Sequence, residues 1–201
     1  MTHFNQMANT WDTQEKINQN KVYSEKIKAN LKNKDFQNVL EIGCGTGLLG
    51  SHFITQQNHY LGVDTSPGML EVFNQKFKNY PNVRSAHLNL EEQENNLLEN
   101  PFDLILSSMA FHHLIDPEKV LFKLKRLLNP DGMIAIIDLD EEPGNFHPDS
   151  KNMGVHHFGF SKLTTTIWAE NLHFKKYSRE IINVIKKDSG EFPVFLVTYL
   201  N

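Results

Sequence analysis

The stretch "VLEIGCGTGLLG", Val39 to Gly50, sets an acid, Glu41, ahead of three glycines at alternate positions, Gly43, Gly45 and Gly47. At the end of a buried strand, glycines let the backbone turn tightly and approach a ligand with no side chain in the way. A helix expected over "GLLGSHFITQQ" would present its free N–H groups to that ligand. Asp64 ends the next apolar run, "HYLGVD", 64 − 43 = 21 positions after the first glycine. An acid about 20 residues on, at the tip of a second strand, is where the ribose hydroxyls of an adenosine ligand are gripped. The glycines follow G-x-G-x-G, whereas dinucleotide sites follow G-x-G-x-x-G. A carboxylate at Glu41 would repel a pyrophosphate and suit an ammonium or a sulfonium, so these residues point to an adenosine-containing ligand with a cationic end.

The elements that must position these groups alternate along the chain. "QNVLEIG", "HYLGVD", "NVRSAHL", "FDLILSS" and "GMIAIIDL" read as strands, and "GLLGSHFITQQ", "SPGMLEVFNQKFKNY" and "DPEKVLFKLKRLLN" read as helices. Such alternation implies right-handed crossovers and a parallel sheet covered on both faces. Asp116-Pro117-Glu118 is a helix start, and "NPDG" at Asn129–Gly132 is expected to stop that helix. Its apolar stripe is Val120, Leu121, Leu124, Leu127 and Leu128, with Lys119, Lys123, Lys125 and Arg126 on a solvated face. "EEQENNLLEN" reads as a surface helix or loop. Near the end, "FSKLTTTIWAENL" reads as a helix, and "YSREIINVIKK" and "FPVFLVTYL" read as strands joined by little more than Asp188-Ser189-Gly190, too short for a parallel crossover. One strand must therefore run against the others, with "FPVFLVTYL" an inner strand. Before the sheet, Asn9 to Leu31 reads as one or two helices carrying Trp11, Ile17, Val22, Ile27 and Leu31 at roughly helical spacing.

Taken together, "VLEIGCGTGLLG", "LGVDTSPGML", "FDLILSSMAFHHLIDPEKVLFKLKRLLNPDGMIAIID" and the reversed last strand resemble the class I S-adenosylmethionine-dependent methyltransferases over nearly the whole chain. The resemblance implies an α/β, Rossmann-like, doubly wound seven-stranded sheet, mostly parallel with an antiparallel last strand, helices on both faces and an N-terminal helical lid. It implies one domain over 1–201, with 1–35 as the cap, 36–201 as the core and 139–160 as a substrate-side loop. By the same resemblance, Glu41, Gly43, Cys44, Gly45 and Gly47 line the methionine part and ribose of S-adenosylmethionine. Asp64 binds the ribose hydroxyls, Thr65 and Met69 flank the adenine, and Asn89 and Leu90 sit at its edge, with Asn89 where the family often has aspartate. Ser107, Met109 and His112 would stand where cofactor meets substrate. "ANTWD" would place Trp11 over the cofactor; a staple of the first helix onto the body is an equal reading.

Transfer of a methyl group from a sulfonium needs alignment and exclusion of water, with a base only when the acceptor must lose a proton. Candidate bases are His112, His156 and His157; His147, Asp140, Glu141 and Glu142 could also meet an acceptor. His112 and His113 are expected to divide labour, one facing the pocket and one packing under a helix. The chain has no H-x-x-H or H-E-x-x-H spacing, and adjacent histidines on an extended segment point apart, so the expectation is no metal. The formal net charge of −4 gives no general attraction to phosphate backbones or anionic lipid. "SSMAFHH" replaces the N-P-P-Y segment of amine-of-base methyltransferases, which disfavours DNA adenine methylation. The single cysteine, Cys44, forms no internal disulfide, and no apolar run approaches the ~20 residues needed to span a bilayer. These points suggest a cytoplasmic protein with a small-molecule methyl acceptor and neither nucleic acid nor membrane as partner. A non-catalytic S-adenosylmethionine-binding protein and a nicotinamide-dependent oxidoreductase are the competing readings.

Overall fold

The structure is a computed structural model that describes residues 3–32, 34–92 and 101–201. Among the described residues, seven strands, β1 (Asn38–Ile42), β2 (His59–Asp64), β3 (Val83–His87), β4 (Phe102–Ser108), β5 (Leu128–Leu139), β6 (Lys176–Lys187) and β7 (Gly190–Leu200), form one sheet in the order β3-β2-β1-β4-β5-β7-β6. The pairs from β3 to β5 are parallel, and β7 runs antiparallel to both β5 and β6. The hairpin pairs Lys187 with Gly190, so the short connection leaves no other geometry. β7 is an inner strand, with Val194, Phe195, Val197 and Tyr199 at 0% exposure, as its apolar sequence requires.

The helices are α1 (His3–Met7), α2 (Gln14–Asn30), α3 (Pro67–Phe77), α4 (Pro117–Lys125) and α5 (Lys162–Asn171). Val120, Leu121 and Leu124 of α4 and Trp168 of α5 pack on Leu40, Ile42, Ile105 and Ile136 of one sheet face. Tyr23 and Ile27 of α2 and Leu70, Phe73 and Phe77 of α3 pack on Val39, Leu104, Leu106 and Ile137 of the other. Each large apolar side chain so enclosed contributes about 1.5–3 kcal/mol. The helix starts carry side-chain caps: Ser66 accepts from Met69 N, Asp116 from Lys119 N and Ser161 from Thr164 N, each satisfying an amide that would otherwise lack a partner.

Four expectations change. "GLLGSHFITQQ" forms no α-helix; a 3-10 turn at Gly50–His52 is its only helical piece. Gly43, Gly45 and Gly47 all have positive φ (64°, 52° and 78°), which uses up the residues that would begin a helix, and Gly50 is pinned under Tyr60 and Glu41. In α2 the buried face is Tyr23, Ser24 and Ile27, while Ile17 and Val22 stand 39% and 43% exposed. α4 stops at Lys125, before "NPDG", and Asn129–Gly132 instead opens β5, where the pairing with β4 shifts register between Phe102 and Leu104. The basic run on α4 is partly engaged: Lys123 Nζ donates to Leu90 O, and Lys125 Nζ to Leu172 O and His173 O. Of "EEQENNLLEN", residues 93–100 lie outside the described residues. No helix among the described residues is long and apolar enough to cross a membrane.

Candidate functional site

The carboxyl ends of β1 and β2 converge on the glycine turn. Cys44 N donates to Val63 O at 3.0 Å and Gly45 N to Asp64 Oδ2 at 2.8 Å, while Asp64 Oδ1 accepts from Ser66 N at 2.8 Å. Asp64 thus ties the turn to the start of α3, and it is only half-buried. A carboxylate has about four acceptor sites, so capacity remains for hydroxyl donors. Burial pushes its pKa up, against the pull of the Ser66, Gly45 and Thr65 amides. The three glycines do different work. A side chain at Gly47 would run into Phe77 at 2.5 Å and Phe73 at 2.8 Å, and one at Gly43 into Ala110 at 2.5 Å, whereas at Gly45 nothing lies within 4 Å. Gly43 and Gly47 are packing glycines; Gly45 presents bare backbone to open space beside Asp64.

Glu41 lies beneath this turn, 2% exposed. Its carboxylate accepts from Tyr60 Oη and is bonded by the Gly50 amide, and burial raises its pKa to about 8. The structure therefore makes Glu41 an anchor of the turn instead of a surface facing a ligand. Cys44 is also enclosed, its thiol pushed up by burial and then by the Glu41 and Asp64 charges. Met69 and Leu90, 2% and 4% exposed, belong to the interior. Thr65 is exposed and its carbonyl accepts from His87 Nε2; Asn89 Oδ1 caps Glu91 N. Ser107 Oγ donates to Ile42 O, locking β4 to β1, and Met109 turns the chain after β4 with φ +55°.

Beyond β4 the histidines gather. His112 is 1% exposed; its Nδ1 lies 2.7 Å from Asp138 Oδ1, and its backbone N donates to Asp138 Oδ2. Because Phe111–His113 is a 3-10 turn, neighbouring rings do not diverge as they would on a strand, and His112 and His113 lie with centroids 4.1 Å apart. His147 joins them at 5.0 Å from His112. It is held there by Glu142, whose Oε2 accepts from Gly144, Asn145 and Phe146 N. Burial, then the His112 charge, lowers His113 to about 4; burial, then His112 and His113, lowers His147 to about 3. His156 and His157 are not part of the cluster: their amides both donate to His112 O, His156 is exposed, and His157 packs on Phe160. Asp140 pairs with Arg179 at 2.8 Å. The sequence reasoning missed Asp138 and the grouping of His113 with His147; the signal was two parallel neighbouring strands, β4 and β5, each followed by histidines at its carboxyl edge.

The N-terminal segment covers both parts. Asn5 Oδ1 accepts from Ser66 Oγ and Gly68 N. Asp12 accepts from Thr46 Oγ1 of the glycine turn and pairs with Lys76 at 2.7 Å. Phe4 lies edge-on to Trp11 and to His113, at 5.8 and 5.2 Å between centroids, and Lys16 Nζ sits 3.2 Å over the Trp11 ring. Trp11 is thus a staple of the cover, and Phe4 is the aromatic that reaches the histidines. A groove of about 1090 Å³ is an open furrow beside α3 and β3 lined by Pro67, Lys76, Ser85 and His87. None of the expected site residues lines it, so the turn and its acid, not groove size, mark the site.

A glycine turn and an acid at the carboxyl edges of β1 and β2, at the point where strand order reverses, form the arrangement that nucleoside-binding α/β domains use. The strand inserted antiparallel between β5 and β6 departs from the 3-2-1-4-5-6 order of dinucleotide-binding sheets. Residues 40–134 match the model of a methyltransferase domain family. The chain is 37% identical over 141 residues to an uncharacterized methyltransferase of Schizosaccharomyces pombe, covering 64% of this chain and 50% of that one. It is 30% identical over 135 residues to a malonyl-[acyl-carrier protein] O-methyltransferase of Acetivibrio thermocellus, covering 66% of this chain and 46% of that one. The chain spans about half the length of these curated relatives. N-methyltransferase NodS from Bradyrhizobium japonicum, solved with S-adenosyl-L-homocysteine, shares the fold at a TM-score of 0.67 and 17% identity, over 93% of this chain and 86% of that one. In its matched segment and its fold, the chain is similar to the class I S-adenosylmethionine-dependent methyltransferases.

Proposed function

We propose that this chain is an S-adenosylmethionine-dependent methyltransferase acting on a small-molecule acceptor. The observation that carries the reading is the pairing of Gly45, bare and open, with the half-buried Asp64 carboxylate 2.8 Å from its amide. Such a site fits a nucleoside: backbone can approach closely at Gly45, and Asp64 has acceptor capacity for ribose hydroxyls. Bound there, S-adenosylmethionine supplies a methyl group carried on a sulfonium, which an acceptor takes by in-line displacement.

The residues of the chain then bind, orient and exclude water. Asp64 holds the ribose, and Gly43, Cys44, Gly45 and Gly47 shape the backbone that meets the methionine part, with Glu41 fixing that backbone from below. Thr65 and Asn89 flank the adenine over an apolar floor that includes Met69 and Leu90. Ser107 and Met109 direct the chain toward His112, beside which the acceptor lies. His113 and His147, kept uncharged near neutral pH by burial, offer lone pairs on that side; the backbone amides of His156 and His157, not their side chains, hold the His112 carbonyl. The segment 1–35 serves as a cap on a core of 36–201, within one domain, and 139–160 as the acceptor-side loop. A small acceptor is favoured over nucleic acid by the net charge of −4, and the single cysteine suits the cytoplasm.

The test is isothermal titration with S-adenosylmethionine and with S-adenosylhomocysteine. Micromolar binding of both, with S-adenosylhomocysteine released on turnover of a small-molecule acceptor panel, is the expected result. A folded sample that binds neither overturns the reading.

A further inference from the structure

We propose that His112, His113 and His147 form a binding site for a divalent transition metal of the zinc class. This inference stands on the side-chain cluster and does not rest on the methyl-transfer reading.

One ring nitrogen from each of the three histidines lies within 4.8 Å of those of the other two. Their hydrogen bonds fix which nitrogens are free. Nδ1 of His112 faces the Asp138 carboxylate at 2.7 Å, and Nδ1 of His113 faces Gly154 O at 2.9 Å. Both partners only accept, so in the neutral rings both Nδ1 atoms carry the proton and both Nε2 atoms keep a lone pair. Nε2 of His112 and Nδ1 of His147 are buried with no hydrogen-bond partner among the described residues. The cluster is thus a set of imidazole lone pairs gathered with no donor to receive them, a set that a cation satisfies and that a proton would crowd with charge.

The surroundings match what metal-bound histidines need. A carboxylate on the far nitrogen of a ligand ring fixes its tautomer and orientation and raises its basicity, and Asp138 does this for His112; a backbone carbonyl does it for His113. Nitrogens bound at zinc's ~2.0–2.1 Å in tetrahedral array stand about 3.3 Å apart. Closing from 4.8 Å calls for movement of the half-buried His147, which sits on a loop, while His112 stays fixed by Asp138. Three nitrogen donors suit Zn²⁺ or Co²⁺ and not Mg²⁺ or Ca²⁺, which take oxygen ligands. Three protein ligands also leave a fourth position for water or another small donor. The Phe4 ring against His113 limits access from the cover side.

The experiment uses the full chain, treated with chelator, dialysed and titrated with Co²⁺ under visible absorption, followed by Zn²⁺ competition. The expected result is one equivalent of cobalt with a ligand-field spectrum of low coordination number, displaced by zinc. His113→Ala and His147→Ala should each weaken binding by about tenfold or more, while His156→Ala, a neighbour outside the cluster, leaves it unchanged. Both substitutions leave the buried His112–Asp138 hydrogen bonds in place, so circular dichroism should report a native fold. Absence of a 1:1 complex at micromolar cobalt overturns the proposal. So does a complex whose affinity is the same in His113→Ala and His147→Ala, or equally reduced in His156→Ala.

Discussion

The two halves of the carboxyl edge are built by opposite means. At β1 and β2 the site is made of backbone: three glycines at positive φ, their amides, and one acid that ties them to α3. At β4 and β5 it is made of side chains: three imidazoles from a tight turn and a distant loop, steered by Asp138 and Glu142. A backbone site needs a fixed local spacing, because consecutive dihedrals create it. A side-chain site needs only that separate segments end at the same place, and many spacings allow that.

The sharpest way to break the comparison is within the glycine turn itself. Gly47→Ala puts a Cβ at 2.5 Å from Phe77 with φ at +78°, so overpacking and backbone strain together should lower stability by about 3–4 kcal/mol. Gly45→Ala meets nothing within 4 Å and should lower stability by only about 1 kcal/mol, while still weakening cofactor binding. Thermal or urea unfolding of both variants decides it; equal losses would mean that the turn has no division between packing and ligand glycines.

Glu41 separates anchor from ligand contact by pH. Its folded pKa of about 8 stands above the ordinary glutamate value of 4.5, so the folded state holds an extra proton between them and stability falls as pH rises through that window. The contribution is fully present below about pH 4.5 and gone above about pH 8. Glu41→Gln cannot ionise, so between pH 6 and 8 its stability relative to the parent should improve by about 2–3 kcal/mol. Denaturant midpoints across that range measure it, and a difference independent of pH would mean that Glu41 is ionised throughout. Asp64→Ala comes next. Loss of paired hydrogen bonds to ribose should cost about 2 kcal/mol, more than tenfold in S-adenosylmethionine affinity by titration calorimetry. Unchanged affinity would move the cofactor away from β2.

Much of this was legible in the sequence because it is local. The alternation of apolar runs and capped helices dictated the sheet, and the brevity of Asp188-Ser189 dictated the hairpin that reverses β7. Gly43 to Gly47 and Asp64 were legible because backbone turns and strand tips lie at set distances along the chain. What was not legible depended on competition between levels. The residues after Gly47 have a helical pattern, yet the positive-φ glycines and the seat of Gly50 on Tyr60 leave only a 3-10 turn. Glu41 looked like a ligand contact because strand alternation does not tell which face holds Tyr60. The histidine group escaped because spacing rules for metal ligands assume one helix or one strand, whereas His112 and His113 lie on a 3-10 turn and His147 comes 147 − 113 = 34 residues later from another loop.

The smallest expected effect tests whether the halves are separable at all, because one segment covers both. Its ties to the glycine half are polar, Asn5 on Ser66 and Gly68 and Asp12 on Thr46 and Lys76; its tie to the histidine half is Phe4 against His113. Removing one edge-to-face aromatic contact is worth about 1 kcal/mol, roughly fivefold in a binding constant. Phe4→Ala should therefore raise the acceptor KM by about that factor and leave the S-adenosylmethionine Kd unchanged. Asn5→Ala should do the reverse, since its partners start α3 beside Asp64. If both variants shift both constants together, the cover moves as one rigid lid, and the backbone-built and side-chain-built halves act as a single site despite their different construction.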